Sequence, residues 1–414
     1  MKKLLPIVIV AVLCVTLALG VFAACDTTQP VVGLLALHDS KSTYDKNFIN
    51  AFKAACEKKG LTEKQYKIVT NVPEDTKCYD RAAELADAGC KAIFADSFGH
   101  EAHMLKAAKD FPEVQFCHAT GTQAVLNKDL TNYHNAFASI YQARYLAGVA
   151  AGMKLQEMIA NKEITESDMV DGSYLIGYVG AYTYAEVISG YTSFYLGVKS
   201  IVENVKMEVT FTGSWYDQTA EQNAATKLIK DGCVLVSQHA DSMGAPTACE
   251  NAGVPNVCYN VSTATECPDT YIIASRINWQ PYFEMMLDYV LGTEGATLPN
   301  DWTGDMTTGS VEVMGLGSAA AKGTQDKLNE VTEAIKNKTL KIFDTSKFTV
   351  SVGEKTNVGA EVDENGHLTS YIKNVDGTEK NVVANGEFCE SALRSAPYFD
   401  LQIDGIKLLN EVYD

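Results

Sequence analysis

The chain has 414 residues, with 34 Lys and Arg against 52 Asp and Glu and a formal net charge of −18. The acids are scattered rather than run together, which describes a solvated acidic surface and argues against nucleic acid or an anionic membrane face as partner. Eleven cysteines are too sparse for a disulfide scaffold, and none stands in a C-x-x-C pair.

In chain order the first element is a leader. Lys2 and Lys3 precede an apolar run from Leu4 to Phe22, and the small residues Ala23 and Ala24 sit before Cys25. That is the layout of a secretory signal, although hydropathy alone would also suit a retained membrane-spanning helix. Phe22-Ala23-Ala24-Cys25 resembles the lipobox of bacterial lipoproteins, with Phe where Leu is usual. The resemblance implies that residues 1–24 are removed and that Cys25 is acylated, with residues 25–30 as a tether. What remains exceeds the size a single core encloses, so two domains are expected. Nine cysteines are left: Cys56, Cys78, Cys90, Cys117, Cys233, Cys249, Cys258, Cys267 and Cys389. Most read as small buried residues, in a compartment that permits one or two disulfides.

Short β-branched and apolar runs then alternate with amphipathic stretches. Strands are predicted at Val31–His38, Tyr66–Thr70, Ala92–Asp96, Val114–His118, Leu175–Val179, Met207–Phe211, Val234–Gln238, Val257–Asn260, Tyr271–Ile277 and Val311–Met314, with helices such as Asp45–Lys58 and Gln218–Lys230 between them. This βαβ rhythm implies an α/β protein with parallel sheets. Gly89-Cys90-Lys91-Ala92-Ile93-Phe94 precedes Pro112 by the same interval at which Gly232-Cys233-Val234-Leu235-Val236-Ser237 precedes Pro255. Equal spacing favours two duplicated lobes. From Lys341 the rhythm breaks, and Asn357, Gly359, Asn365-Gly366 and Asp376-Gly377 mark a hairpin-bearing extension packed on a lobe.

Two α/β lobes imply a cleft, lined by the residues that follow the strands. Tyr44, Phe48, Phe98, Tyr182, Tyr184, Trp215 and Trp279 all fall at such turns, beside Asp39, Asp45, Asn50, Glu186, Asp217 and Asp241. Aromatic faces and polar edges together suit a planar heteroaromatic ligand. Other motifs carry less. Gly315-x-Gly317-x-x-Ala320 lacks a following strand with a ribose-binding acid and reads as a structural turn, and His100-Glu101-Ala102-His103 has the wrong spacing for a zinc protease and reads as a surface helix start. Neither a G-x-S-x-G elbow nor a P-loop occurs, so no enzyme machinery, metal or cofactor is expected.

At the strand ends the chain resembles the BMP family, the basic membrane protein or PnrA-like group of substrate-binding lipoproteins. Asp45-Lys46-Asn47-Phe48-Ile49-Asn50, Tyr145-Leu146-Ala147-Gly148 and Ile176-Gly177-Tyr178-Val179-Gly180 are similar to its D-K-S-F-N-Q, F-L-A-G and V-G-F-V-G segments. Asp96-Ser97-Phe98-Gly99, His118-Ala119-Thr120-Gly121, Trp215-Tyr216-Asp217, Gln238-His239-Ala240-Asp241-Ser242 and Asn278-Trp279-Gln280-Pro281-Tyr282 resemble the segments of its purine-base-binding branch. The resemblance implies a type I periplasmic-binding-protein fold, two Rossmann-like lobes joined by a hinge. Residues 31–138 and 273–307 would form the first lobe, 139–272 and 308–340 the second, and 341–414 a β-rich extension, with crossovers near 138, 273 and 308.

It further implies a monomeric binder, anchored outside the cytoplasm by lipid at Cys25, that delivers a purine to an ABC permease. Phe48 would stack on the base, with Trp215 or Tyr182 on its other face, and Asp45, Asn50, Ser97, Glu186 and Asp241 would read its edge. Tyr44, Phe98, Asp217, His239, Asn260, Asn278 and Trp279 complete the expected site. Asn260 and Asn278 stand where the nucleoside-binding branch has an Asp and a Lys, which favours a free base over a nucleoside. A nucleoside binder of the same family and a surface sensor uncoupled from transport are the alternatives.

Overall fold

The computed structural model describes residues 30–413. The leader, Cys25 and the tether up to residue 29 lie outside them. The first lobe is built on a six-stranded parallel sheet in the order β11-β5-β4-β3-β1-β2. Its strands are β1 (Val32–Leu35), β2 (Tyr66–Val69), β3 (Ala92–Ala95), β4 (Gln115–Ala119), β5 (Tyr133–Ala138) and β11 (Asp301–Gly304). The second lobe holds β6 (Tyr174–Gly180), β7 (Val205–Phe211), β8 (Cys233–His239), β9 (Asn256–Tyr259), β10 (Tyr271–Ile277), β12 (Val311–Val313) and β18 (Ile406–Leu408), in the order β12-β10-β9-β8-β6-β7-β18. Only β12 runs antiparallel to its neighbour.

The two sheets repeat one order, β2-β1-β3-β4-β5 in the first and β7-β6-β8-β9-β10 in the second. The Gly-Cys copies enter at matching stations, just before β3 and β8, and Gly89 and Gly232 adopt φ of 101° and 104°, a conformation that strains any residue with a Cβ. The crossover expected at 273 lies later, because β10 pairs along its length inside the second sheet and the chain leaves it only after Ile277.

Helices flank the sheets, and their starts are written locally. Helix α1 (Thr43–Lys58) is capped by Ser42, and α6 (Gln218–Lys230) by Asp217, each side chain accepting a backbone N–H of the first turn. Helices α4 (Tyr141–Ala160) and α5 (Ala185–Lys199) cross at Gly148 and Gly197. A Cβ on Gly148 would strike the Phe194 carbonyl, and one on Gly197 the Tyr145 carbonyl. The glycine of the Tyr145–Gly148 motif is therefore a packing requirement.

The extension departs from expectation. Its antiparallel strands β13 (Ala360–Val362), β14 (Leu368–Asn374) and β15 (Glu379–Asn381) and the β16–β17 hairpin (Val383–Ala384, Glu387–Phe388) surround a core in which Phe343 stacks on Phe399 at 4.4 Å. It is not packed on one lobe. Ser395 donates its N–H and Oγ to Asp301 of β11 at 2.8 and 2.5 Å, while Glu390 accepts from Ser189 Oγ of α5 at 2.7 Å. β18 then joins the second sheet beside β7.

The nine cysteines among the described residues are all free, eight of them buried. His100 is not at the surface but fully buried, with Nε2 2.9 Å from the Val72 carbonyl, and burial pushes its pKa down to about 4. Gly317 is a tight turn against the Tyr271 carbonyl. Among the described residues no helix is long and apolar enough to cross a membrane, and no cluster of His, Cys, Asp and Glu could hold a metal ion.

Candidate functional site

The carboxyl ends of both sheets face one cleft. From the first lobe it is lined by Leu37, His38, Tyr44, Asp45, Ser97, Phe98 and Thr120, and from the second by Glu186, Trp215, His239, Asp241 and Tyr259. The lobes are closed over it. The Thr43 N–H donates to the Asp241 carbonyl at 2.8 Å, and Asn47 Nδ2 donates to the Ile277 carbonyl at the same distance. The empty space among the lining atoms is about 360 Å³.

The N-terminus of α1 fixes the first-lobe wall. Asp45 accepts Ser42 Oγ at 2.6 Å and the His38 N–H at 2.8 Å, with His38 Nδ1 3.5 Å away. Burial works to raise its pKa, but the bonds from His38 and Ser42 outweigh burial and hold the carboxylate below its ordinary value. Asp96 lies behind it, accepting the Leu37 N–H at 3.1 Å. Burial, then the Asp45 charge, pushes the Asp96 pKa well up. Ser97 is positioned by Glu74 at 2.6 Å and by His118 Nε2 on its carbonyl at 2.7 Å. Glu101 accepts the N–H groups of Thr122 and Gln123 and so sets the turn after Thr120.

The second-lobe wall carries two buried acids beside His239. Burial raises Glu186 to about 7, with Arg144 opposing, and burial and the neighbouring acids raise Asp241 well above the carboxylate range. His239 Nε2 lies 3.4 Å from Glu186, and burial, then Arg144, lowers its pKa well below the usual value. The Asp241 N–H donates to the Trp215 carbonyl at 2.9 Å, and the Ser242 N–H to buried Glu221 at 3.1 Å. An aromatic rim closes the mouth. Phe98 stacks on Tyr184, Tyr184 on Tyr182 at 5.2 Å, and Tyr182 meets Trp215 edge-on at 5.2 Å.

Of the expected residues, Tyr44, Asp45, Ser97, Phe98, Glu186, Trp215, His239 and Asp241 come together here, with Tyr182 in the rim. Phe48 and Trp279 do not. They are fully buried in the first-lobe core, stacked on each other at 4.3 Å beside Phe94 and Phe283. Phe48 lies one turn below Tyr44 on the inward face of α1, and that spacing packs it into the core. Asn50 is exposed on the opposite face. Asp217 is spent on capping α6, and Asn278 donates to the Gly309 carbonyl at 3.1 Å. Asn260 is buried in a left-handed turn but does not line the cleft. His38, first of the segment expected after β1, and Thr120, within the His118–Gly121 motif, also line it, and Leu37 and Tyr259 do so without having been singled out, although each stands at a strand end.

A family described as ABC transporter substrate-binding protein, PnrA-like, matches residues 35–346. A purine-binding protein of Brucella abortus is 32% identical over 213 residues, 51% of this chain and 55% of that protein. A putative ABC transporter glucose-binding protein of Haloferax volcanii is 28% identical over 265 residues, 64% of this chain and 62% of that protein. The chain thus spans less than two thirds of either curated relative. Among solved structures, a solute-binding protein of an ABC transporter system from Aeropyrum pernix K1 superposes with a TM-score of 0.63 at 13% identity, covering 78% of this chain and 94% of that one. One from Conexibacter woesei gives 0.58 at 19% identity, covering 75% and 98%. These likenesses establish the periplasmic-binding-protein fold.

Proposed function

We propose that this chain, which belongs to the family of PnrA-like ABC transporter substrate-binding proteins, captures a free purine base between its lobes and performs no chemistry on it. The observation that carries the reading is the cleft wall on which Trp215 stands beside the acids Glu186 and Asp241, whose pKa values burial raises. A carboxyl offers acceptor oxygens and, when protonated, an O–H donor beside them, which matches the alternating donors and acceptors on a purine's edge. Trp215 adds a face for the ring, and stacking on an aromatic contributes ~1–3 kcal/mol per base. The purine-binding relative points the same way. No lysine lines the cleft, which favours the base over a nucleoside.

In this reading the chain is exported, held at the outer face of the membrane by lipid on Cys25, and acts as a monomer whose closed form is recognised by an ABC permease. Titration calorimetry with adenine, guanine, hypoxanthine, adenosine and inosine tests the ligand. The base is expected to bind more tightly than its nucleoside; binding of a sugar or amino acid with no purine binding overturns the assignment. Cys25→Ser is expected to release the chain from membranes, and unchanged fractionation and mass would refute the anchor.

A further inference from the structure

The second lobe buries a cation, Arg144, on α4. It is fully buried, and only Nη1 is bonded, to the Gln238 carbonyl at 3.0 Å. Nε and Nη2 have no hydrogen-bonding partner among the described residues, and no carboxylate forms an ion pair with the group. Its carbon lies 3.6 Å from the ring centroid of Tyr259, a wall of the cleft, and Gln238 directly precedes His239, another wall. Tyr259 Oη, on the cleft wall, is likewise buried without a partner. Arg144 is not itself among the lining residues but backs this wall, and a buried charged donor without a hydrogen-bonding partner is destabilising until an acceptor reaches it.

Nε and Nη2 form one edge of the guanidinium, a fork of two parallel N–H groups that matches two adjacent acceptors. We propose that this edge of Arg144 selects the ligand, binding the carbonyl oxygen and neighbouring ring nitrogen of an oxopurine and rejecting adenine. An oxopurine presents O6 and N7 as adjacent acceptors, whereas adenine presents N7 beside an amino donor. Adenine would set that donor against the guanidinium, which has no acceptor to offer. The inference rests on the purine reading above and narrows it to one class of base.

Calorimetry with hypoxanthine, guanine, xanthine and adenine is the first test. Wild-type protein is expected to bind an oxopurine at least ~10-fold more tightly than adenine, about 1.4 kcal/mol. Arg144→Met is expected to lose more affinity for the oxopurine than for adenine and so to shrink the ratio. Arg144→Lys, which keeps the charge but not the fork, should shrink it too. The carbonyl stretch of bound hypoxanthine in difference infrared spectra should move to lower frequency in wild type and return toward its free value in Arg144→Lys, a readout available even if the Met variant fails to fold. Equal or tighter binding of adenine by wild type, or equal loss of every purine on substitution, overturns the role of Arg144 while leaving a purine binder. If no purine binds, both readings fall together.

Discussion

Phe98 of the first lobe stacks on Tyr184 of the second, with ring centroids 5.0 Å apart and planes 26° apart. The pair bridges the two lobes at the mouth of the cleft, so parting the lobes would break it, as a latch. An aromatic pair contributes about 0.5–1.5 kcal/mol beyond its buried area. Phe98→Ala is therefore expected to raise Kd for the ligand by roughly 2- to 10-fold, mostly through faster release. Phe98 is 39% exposed, so the melting temperature should hardly move. Stopped-flow release measurements check this; an unchanged off-rate would count against the latch.

Phe48 and Trp215 should behave oppositely. Phe48→Ala opens a cavity among Tyr44, Phe94, Trp279 and Phe283 and is expected to cost about 3–5 kcal/mol of stability. Trp215→Ala, at the half-buried mouth, should lose roughly 1–3 kcal/mol of purine affinity with little loss of stability. Urea denaturation beside calorimetry separates the two, and a ligand effect confined to Phe48 would reverse the assignment.

Stability should fall as pH rises above neutral. Glu186, Glu221 and Glu390 are each raised by burial to about 7. A raised carboxyl binds more protons folded than unfolded between its two pKa values, so its stabilising contribution is full below about 4.5 and lost as pH climbs through about 7. Asp45, held below its ordinary value, works in the other direction in the acid range, and the buried His100, His118, His134 and His239, whose pKa values burial lowers, do so as pH falls through about 6.5. The denaturation midpoint of the ligand-free protein is therefore expected to be higher near pH 7 than near pH 8.5. Glu390→Gln, which mimics the protonated acid, should flatten that slope; a midpoint that climbs over this interval would contradict the raised pKa values of the buried acids.

Reducing agent should leave the fold intact, because the nine cysteines are free. Burial raises Cys56, Cys90, Cys117 and Cys258 to about 12, so thiolate is scarce and thiol reagents should label the native protein slowly. Cys389, the half-buried one, should react first. Rapid labelling of several thiols, or a fall of many degrees in melting temperature on reduction, would show otherwise.

The sheets were legible because buried parallel strands write themselves as apolar runs with turns at their ends; α6 was read with the bounds it has. β5 escaped because His134 and Asn135 interrupt its run, and only the fold reveals that they are buried, His134 between Pro299 and Gln115 and Asn135 on the Ala124 N–H. The site was half legible. Asp45, Ser97, Glu186, Trp215, His239 and Asp241 sit at strand ends, where position predicts exposure to the cleft. Phe48 and Trp279 sit there too but point back into the core, and side-chain direction is not written in position. Arg144 could have been noticed as a lone cation within the apolar face of α4, a costly placement that invites a reason.

The β18–β7 pairing has a bearing on solubility. Without β18, the seven-residue strand β7 would present a row of unpaired N–H and C=O groups, an open template for another chain. β18 puts a three-residue strand in that place, with Lys407 at its centre paired to Glu208 at 2.7 Å. A short strand carrying a lysine is a poor template. The family match ends at 346, so trimming the chain to the matched residues exposes the long strand. Such a fragment should scatter light and associate at concentrations where the whole chain stays dispersed; the C-terminal segment is thus the second lobe's protection against self-association.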